Sequence, residues 1–382
     1  HLAARYQAGL FDDSHKGKFI ITGSTALHFL QHVLTGNADA LSDGQGLHTI
    51  IQNDSGFALD NSLLFRFRRN RYMLCVSTAC RERICDHLHR EAENFRDLYI
   101  EDKTFDLAML SLQGPGTGSV INRVVVRAPQ EDRESGLPGD TFIAGTPVIP
   151  VLAACPALQE RLYLFMEKNR ALPVWEILTD SGAEPVGLEA RETLRLESGM
   201  PLFGNEPGAD PENSPIPIFA CPFARSLVSF SLKKGDFIGK DALVEQFEAY
   251  GKIAEQDLSG MSVLPRMIHR VVIKEGKSAD RGNKVYRNSS LIGFITSAAL
   301  VPFRLAPDPL ENPDAPPAIE ERSMALALLD SATVPGNEVQ VKIRNRLTQA
   351  VVVPYPAEPG PGFAADPAPW THLLHFDSQT LS

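Results

Sequence analysis

Three thiols, Cys75, Cys80 and Cys85, stand just before His87 and His89, a density that invites a metal-site reading. The spacers between successive cysteines are longer than tight structural zinc sites usually use, and Cys75 falls in a strand-like run while the other two fall on a helical one. The better reading is a small hydrophobic packing role for Cys75, surface imidazoles for His87 and His89, and no metal. Gly114-Pro115-Gly116-Thr117-Gly118 has the look of a phosphate loop but lacks the Gly-Lys-Ser/Thr ending that sets a lysine on phosphates, so it reads as a turn opening a helix. Arg66, Arg68, Arg69 and Arg71 cluster on a hairpin; a solvated basic turn is the default and an anionic partner the alternative. No Ser/His/Asp or Cys/His set marks a nucleophile. What remains is a helix carrying Arg191 and Arg195, one turn apart and so on one face.

The elements that hold these residues belong to an ordinary globular chain. Of 382 residues 43% are hydrophobic and 22% charged, enough for two or three domains with their own cores. The formal charge, 37 − 47 = −10, offers no basic excess for phosphate backbones, which argues against nucleic acid as a partner. No run approaches the length of apolar residues that a membrane-spanning helix needs, and the residues after His1 contain no signal-peptide core. With five cysteines, an odd number, the chain is expected in a reducing, cytoplasmic setting, away from membranes.

Strand-like runs at 18–22, 62–67 and 72–76 alternate with helical patterns at 25–34, capped by Ser24, and at 79–95. Residues 158–178 have a helical pattern, and 186–197 form a second helix that Gly199 should end. After Gly260 six short strand candidates, 267–273, 284–287, 291–296, 324–329, 339–343 and 350–353, predict a β-barrel or sandwich. Two Pro-rich segments, 305–321 and 354–369, read as extended loops.

Five strings in order carry a family resemblance. GLEARETLRLESGMPLFGNE at 187–206 closely resembles the signature of the glycine cleavage system T-protein family, the tetrahydrofolate-dependent aminomethyltransferases. GLFDDSHKGK at 9–18 resembles that family's GLFDVSHMGK, LQGP at 112–115 its LQGP, KKGDFIGKDAL at 233–243 its KKxDFIGKEAL, and GFITS at 293–297 its G-x-V-T-S. The resemblance implies an α+β, T-protein-like three-domain cloverleaf around a central folate channel with a C-terminal antiparallel β-barrel. The corresponding parts would be 1–120 and 121–245, intertwined around the folate region, the barrel at 246–355, and a Pro/Gly-rich tail at 356–382.

The family moves an aminomethyl group from the dihydrolipoyl arm of a lipoylated H-protein to tetrahydrofolate. Folate and an H-protein are therefore the implied cofactor and partner. An aspartate near the folate N10, a glutamate on the pterin and an arginine on the signature helix serve that chemistry, the carboxylate by orienting or relaying a proton. Here the family's N-E-x-G-G-I-x-D-D segment reads NDSGFALDN at 53–61, so Asn61 takes the catalytic aspartate's position and Asp60 matches only the first of the pair. His48 aligns with the folate-side tyrosine and is a substitute proton carrier, Tyr163 falls where the pterin glutamate belongs, and Arg191 matches the helix arginine. The implied site is a pocket lined by Arg191, Asn61 and His48, with Tyr163 on the cofactor. Aminomethyl transfer with an altered active site is the leading expectation. The alternative is a non-catalytic folate-binding or iron-sulfur-cluster-maintenance-type protein; that class carries K-G-C-x-x-G-Q where this chain has Asp236 in place of Cys.

Overall fold

Runs of β-branched and aromatic residues, broken by Gly, Asn and Asp, supply the strands of the front of the chain, and its glycines fix how closely those strands are approached. The computed structural model describes residues 1–127, 141–155, 158–274, 278–304 and 318–355. These fall into two units, one holding residues 3–186 and 226–240, the other 1–2, 187–225 and 241–355.

The first unit contains β1 (Gly9–Asp12), β2 (Gly17–Thr22), β3 (Gln45–Gln52), β4 (Ala58–Arg68), β5 (Arg71–Val76), β6 (Tyr99–Asp102) and β7 (Leu107–Gln113). It continues through β8 (Val125–Arg127), β9 (Thr141–Ile143), β10 (Thr146–Cys155), β11 (Leu158–Glu167) and β12 (Glu184–Pro185). The main path runs β12-β1-β7-β11-β10-β3-β4-β5-β2-β6. It is curled, because Cys75 Sγ on β5 lies 3.9 Å from Met109 Sδ on β7 although four strands separate them in that order. The inner face of the curl is an apolar cluster of Ile20, Leu63, Phe65, Met73, Val151 and Phe165 with their neighbours. After the short α1 (Leu2–Tyr6) come the helices α2 (Ala26–Val33), α3 (Arg81–Ala92), α4 (Thr117–Val124) and α5 (Ala171–Asp180). Residues of α4 and α5 pack on the other face, against Leu110, Leu112, Leu162 and Leu164.

Residues 158–167 correct the expectation of a helix. They form β11, hydrogen-bonded on both sides to β7 and β10, with Tyr163 and Phe165 turned to the inner cluster and Leu162, Leu164 and Met166 to the outer one. A strand buried on both faces loses its polar alternation, and only the helix after it, α5, keeps a true helical stripe. Ser24 does not cap α2; its N–H donates to Asp97 Oδ2 at 2.9 Å, and Thr25 holds the cap position. His87 is buried beside Ile84 and Leu88 on the apolar stripe of α3, whereas His89 is exposed as expected. The Gly114 turn opens α4, with φ near 119° and no room for a Cβ, which would fall 2.4 Å from Gln7 O.

The KKGDFIGK string docks on β3 and α2 inside this unit. Gln52 Nε2 donates to Ile238 O at 2.7 Å, and Ile238 N–H to His32 O at 3.0 Å. Lys234 is buried, its Nζ donating to Gln31 O and sitting 4.9 Å from the Phe237 ring centroid. Asp236 is exposed and lies 3.9 Å from Lys240.

The second unit carries α6 (Leu188–Ser198), β13 (Gly208–Ala209), β14 (Pro215–Ile216), α7 (Lys240–Ala254) and the expected barrel. Its strands are β15 (Arg266–Ile273), β16 (Lys284–Arg287), β17 (Ser290–Arg304), β18 (Ile319–Asp330), β19 (Glu338–Ile343) and β20 (Arg346–Val353), closed as β15-β18-β17-β16-β19-β20. Alternate residues such as Val271, Val285, Ile295, Ala327, Val341 and Val352 fill the interior. All six strand candidates are present. The longest hairpin overruns the expected loop, because β17 and β18 stay paired out to Arg304 and Ile319. Residues 305–317 and 356–382, expected as loops, lie outside the described residues.

Two predictions follow from packing. Gly293 has φ near 155° and a Cβ there would fall 1.9 Å from Leu328 O; Gly293→Ala is expected to cost about 2 kcal/mol or more, read as a lower urea midpoint, and an unchanged midpoint would refute the close approach. Burial, with Lys240 nearby, pushes the Lys234 ammonium down to about 7. An unfolded lysine titrates near about 10.4, so between roughly pH 7 and 10 the unfolded chain holds the extra proton and stability rises with pH. Lys234→Met is expected to flatten that rise in urea midpoints measured at pH 7 and 9.

Candidate functional site

A tight turn sets the register of the β3–β4 hairpin. Asn53 Oδ1 accepts from Ser55 N at 3.1 Å and Phe57 N at 3.0 Å, and Gly239 approaches so closely that a Cβ would lie 2.3 Å from Asn53 O. Ile50 then pairs with Asn61 and His48 with Leu63, which puts His48 and Asn61 diagonally on one face. The same row continues from Leu63 to Cys75 and from Cys75 to Lys18. On the other side Gly46 pairs with Ala153, Ala153 with Arg161, and Val151 with Tyr163. His48, Asn61, Tyr163 and Arg161 therefore all lie on the inner face of the curled sheet.

Tyr163 is deep in that face, 1% exposed and edge-on to Phe65 at a ring distance of 5.0 Å. His48, Asn61 and Arg161 are half-buried. The Arg161 guanidinium is held by Gln113 Oε1 at 2.5 Å and by the Phe11 ring at 5.2 Å. The polar end of the face is thus built where aromatic residues give way, along β4 and β11, to Asn61 and Arg161. The surface depression at Asp106, Glu167, Lys168 and Asn169 is at the opposite end of β7 and β11.

Electrostatics separates the four. Burial, reinforced by the Arg161 and Lys16 cations, pushes the His48 imidazole down to about 3. It stays neutral near pH 7, a donor and an acceptor but a poor proton carrier, so the expected titration near neutrality is not met. Asp60 turns to the opposite face, fully buried, where it accepts from Ser77 N at 2.7 Å. Burial raises its carboxyl against those hydrogen bonds, and its other oxygen has no protein partner among the described residues. It anchors the entry to α3.

Sequence reasoning missed Lys16 and Asp13. The signal was in the string, since GLFDDSHKGK has Asp13 and Lys16 where GLFDVSHMGK has Val and Met. Asp13 is fully buried and accepts from Ser111 Oγ at 2.6 Å. Lys16 is half-buried in the turn between β1 and β2, electrostatically felt by His48, Asp60 and Cys75. Among the described residues no group of three His, Cys, Asp or Glu converges as a metal site.

Arg191 belongs to the second unit, half-buried in the first turn of α6, with its N–H donating to Gly187 O at 3.2 Å. One turn on, Arg195 is the structural arginine. It donates to Glu192 Oε2 at 2.6 Å, Glu206 Oε2 at 3.2 Å, Ser297 Oγ at 2.8 Å and Met200 O at 3.2 Å. Glu206, fully buried, also accepts from Thr296 Oγ1 at 2.7 Å, Ser297 Oγ at 2.6 Å and Leu202 N at 2.8 Å. Gly199 ends α6 in the left-handed region at φ 76°. Arg195→Met leaves the Glu206 charge uncompensated and is expected to cost about 3–5 kcal/mol in urea unfolding, with part recovered when Glu206→Gln is added. A loss under about 1 kcal/mol would show that the pair is not a buried anchor.

Comparison with known proteins agrees with this architecture. A family model described as the GCVT N-terminal domain matches residues 1–217. The aminomethyltransferase of Caldanaerobacter subterraneus is 30% identical over 359 residues, covering 92% of this chain and 85% of the relative. That of Streptomyces coelicolor is 30% identical over 374 residues, covering 93% and 88%. The crystal structure of the glycine cleavage system aminomethyltransferase T from Bartonella henselae shares the fold, with a TM-score of 0.70 at 23% identity over 95% of this chain and 90% of that one. No helix among the described residues is long and apolar enough to cross a membrane. On the family model and the full-length similarity together, the chain belongs to the glycine cleavage T-protein (aminomethyltransferase) family.

Proposed function

We propose that the chain is a tetrahydrofolate-binding one-carbon transferase of the aminomethyltransferase type with an altered active site on the inner face of the curled sheet. The observation that supports the reading is the β3–β4 register, which sets on one face His48 and Asn61, the two residues that the string resemblance aligns with the family's tyrosine and aspartate. The donor set fits a pteridine in kind: a carboxamide and a neutral imidazole each offer a donor and an acceptor to ring amide edges. Tyr163 completes the proposed cofactor contacts within this unit; Arg191, in the second unit, is proposed as a cofactor donor suited to a carbonyl or carboxylate. Tetrahydrofolate, when bound, supplies the nitrogen that receives the one-carbon unit.

The chain's own residues hold and orient; they are poorly placed to move a proton. Asn61 can fix a ring nitrogen by hydrogen bonding but takes no proton near neutrality. His48, held down to about 3, is no substitute. Without that group a transferase forgoes about 10²- to 10⁴-fold in rate. Tyr163 in place of a pterin-holding carboxylate forgoes a charge-assisted hydrogen bond, on the order of 1.5–3 kcal/mol. The non-catalytic folate-binding alternative shares this site and differs only in turnover. Asp236, exposed where the iron-sulfur-maintenance class has its cysteine, offers that chemistry no thiol.

Titration with tetrahydrofolate and its 5-formyl derivative is expected to show saturable binding at least about tenfold weaker than in an ordinary T-protein. Tetrahydrofolate-dependent ammonia release from aminomethyl-loaded H-protein should be slow or absent, higher in Asn61→Asp, and unaltered in pH profile between 6 and 8 by His48→Ala. Wild-type turnover at the ordinary rate would overturn the altered-site reading, and no binding of either folate would overturn the folate reading.

A further inference from the structure

The barrel treats its cations unequally. Arg266, Lys274 and Arg322 pair with Asp330, Glu338 and Glu320 at 3.7, 3.4 and 3.4 Å. Arg270 donates to Pro354 O and Glu197 O, and Arg281 to Ala209 O on β13. The side chains of Lys284, Lys342, Arg344 and Arg346 have no ion-pair or hydrogen-bond partner among the described residues, and all four are exposed. Strand pairing brings them together. Val285 faces Val341 and Tyr286 faces Gln340 across β16 and β19, a register that sets Lys284 beside Lys342, and the tip between β19 and β20 adds Arg344 and Arg346. Like charges opposed across two strands are unfavourable, and here neither lysine has an acid to relieve it. Residues 280–284 and 342–346 hold five cations and one acid, Asp280, so 5 − 1 = +4 in a chain of formal charge −10. Val285 and Val341 fill the barrel interior, so their neighbours Lys284, Tyr286 and Lys342 point outward. Apolar surface continues that outer face: Lys342 pairs with Leu347, 54% exposed, and Tyr286 with Leu291, 41% exposed.

We propose that this outer face of β16, β19 and β20 is a docking surface for an acidic protein, whose carboxylates meet Lys284, Lys342, Arg344 and Arg346 while its apolar side chains cover Leu291 and Leu347. An aromatic and aliphatic centre with charge at its rim is the composition of a protein interface. A nucleic-acid backbone would use the cations and leave the leucines in water. It would also extend past the patch, over a chain whose remaining formal charge is −10 − 4 = −14 and which repels a long polyanion. An acidic protein surface confined to the patch meets only its attraction, and the unpaired cations steer it there before contact. The inference is independent of what the inner face of the first unit binds.

The test uses the full chain with three probes: poly-L-glutamate, a glutamate–tyrosine copolymer of the same length, and duplex DNA of the same charge. Association and dissociation are followed by surface plasmon resonance at two salt concentrations. Both polypeptides should bind saturably, the copolymer at least about threefold more tightly because its rings cover the exposed leucines. Lys284→Glu combined with Lys342→Glu should slow association by about tenfold or more and flatten its salt dependence. The same double reversal at the exposed Lys168 and Lys252, far from the barrel face in sequence, should change it by less than about threefold. Leu347→Ser should remove the copolymer's advantage and leave poly-L-glutamate unchanged. Urea midpoints are measured for each variant; if the double reversal disturbs the barrel, Lys342→Gln, which removes one charge and reverses none, should still slow association by about threefold. Equal loss from the two double reversals would show a general charge effect and overturn the docking surface, as would the absence of saturable binding. A copolymer no tighter than poly-L-glutamate would overturn the protein interface, and duplex DNA bound more tightly than the copolymer would replace it with a nucleic-acid site.

Discussion

The second unit turns on a buried carboxylate. Glu206 has no exposed surface, and its two oxygens take hydrogen bonds from Leu202 N, Thr296, Ser297 and Arg195. Removing an ionised pair from water costs several kcal/mol per ion, which only near-complete hydrogen bonding offsets. That requirement fixes three pieces at once: α6 through Arg195, the 200–206 loop through Leu202, and β17 of the barrel through Thr296 and Ser297. Glu192 takes up the rest of the guanidinium, so no donor is spent on solvent. Two strings that look like chemistry in the sequence, the end of the signature and G-x-x-T-S, are the two halves of this anchor.

The other shared strings mark close backbone approach. Gly239 lies against Asn53 O and Gly114 against Gln7 O, where a Cβ would overlap the carbonyl. Such contacts demand one residue type, because no rotamer relieves a backbone clash. Asn61, His48 and Tyr163 sit instead in strand positions that any side chain of suitable size can occupy. Architecture and chemistry are therefore written in separable letters, and a chain can satisfy the first completely while changing the second.

This separation also decides what could be read from the sequence. The barrel was legible because each strand has an inside and an outside, and the resulting period of two shows in runs such as Val339-Gln340-Val341. Strand β11 was not, because both its faces are buried and its apolar run imitates a helix. Asn61 and His48 were found by matching a string, and pairing register explains why they share a face. The effect of Lys16 on His48 could not have been found that way. Lys16 stands in the turn before β2 and His48 on β3, with β4 and β5 between those two strands in the sheet, and that strand order is not written in either string.

Charge is where these levels meet. Relative to the family pattern, Met to Lys16, Asp to Asn61 and Glu to Tyr163 each move the formal charge by +1 and Val to Asp13 moves it by −1, so the four changes sum to +1 + 1 + 1 − 1 = +2. In a partly desolvated site a change of that size outweighs most changes of shape, because interactions between charges strengthen as water is excluded. The imidazole registers it first, held neutral by burial and two nearby cations. A face without a group that titrates near neutrality is badly equipped to carry protons. Its fixed charges, the Asp13 carboxylate among them, still favour or oppose a ligand by sign, since they need no proton to be in the right place.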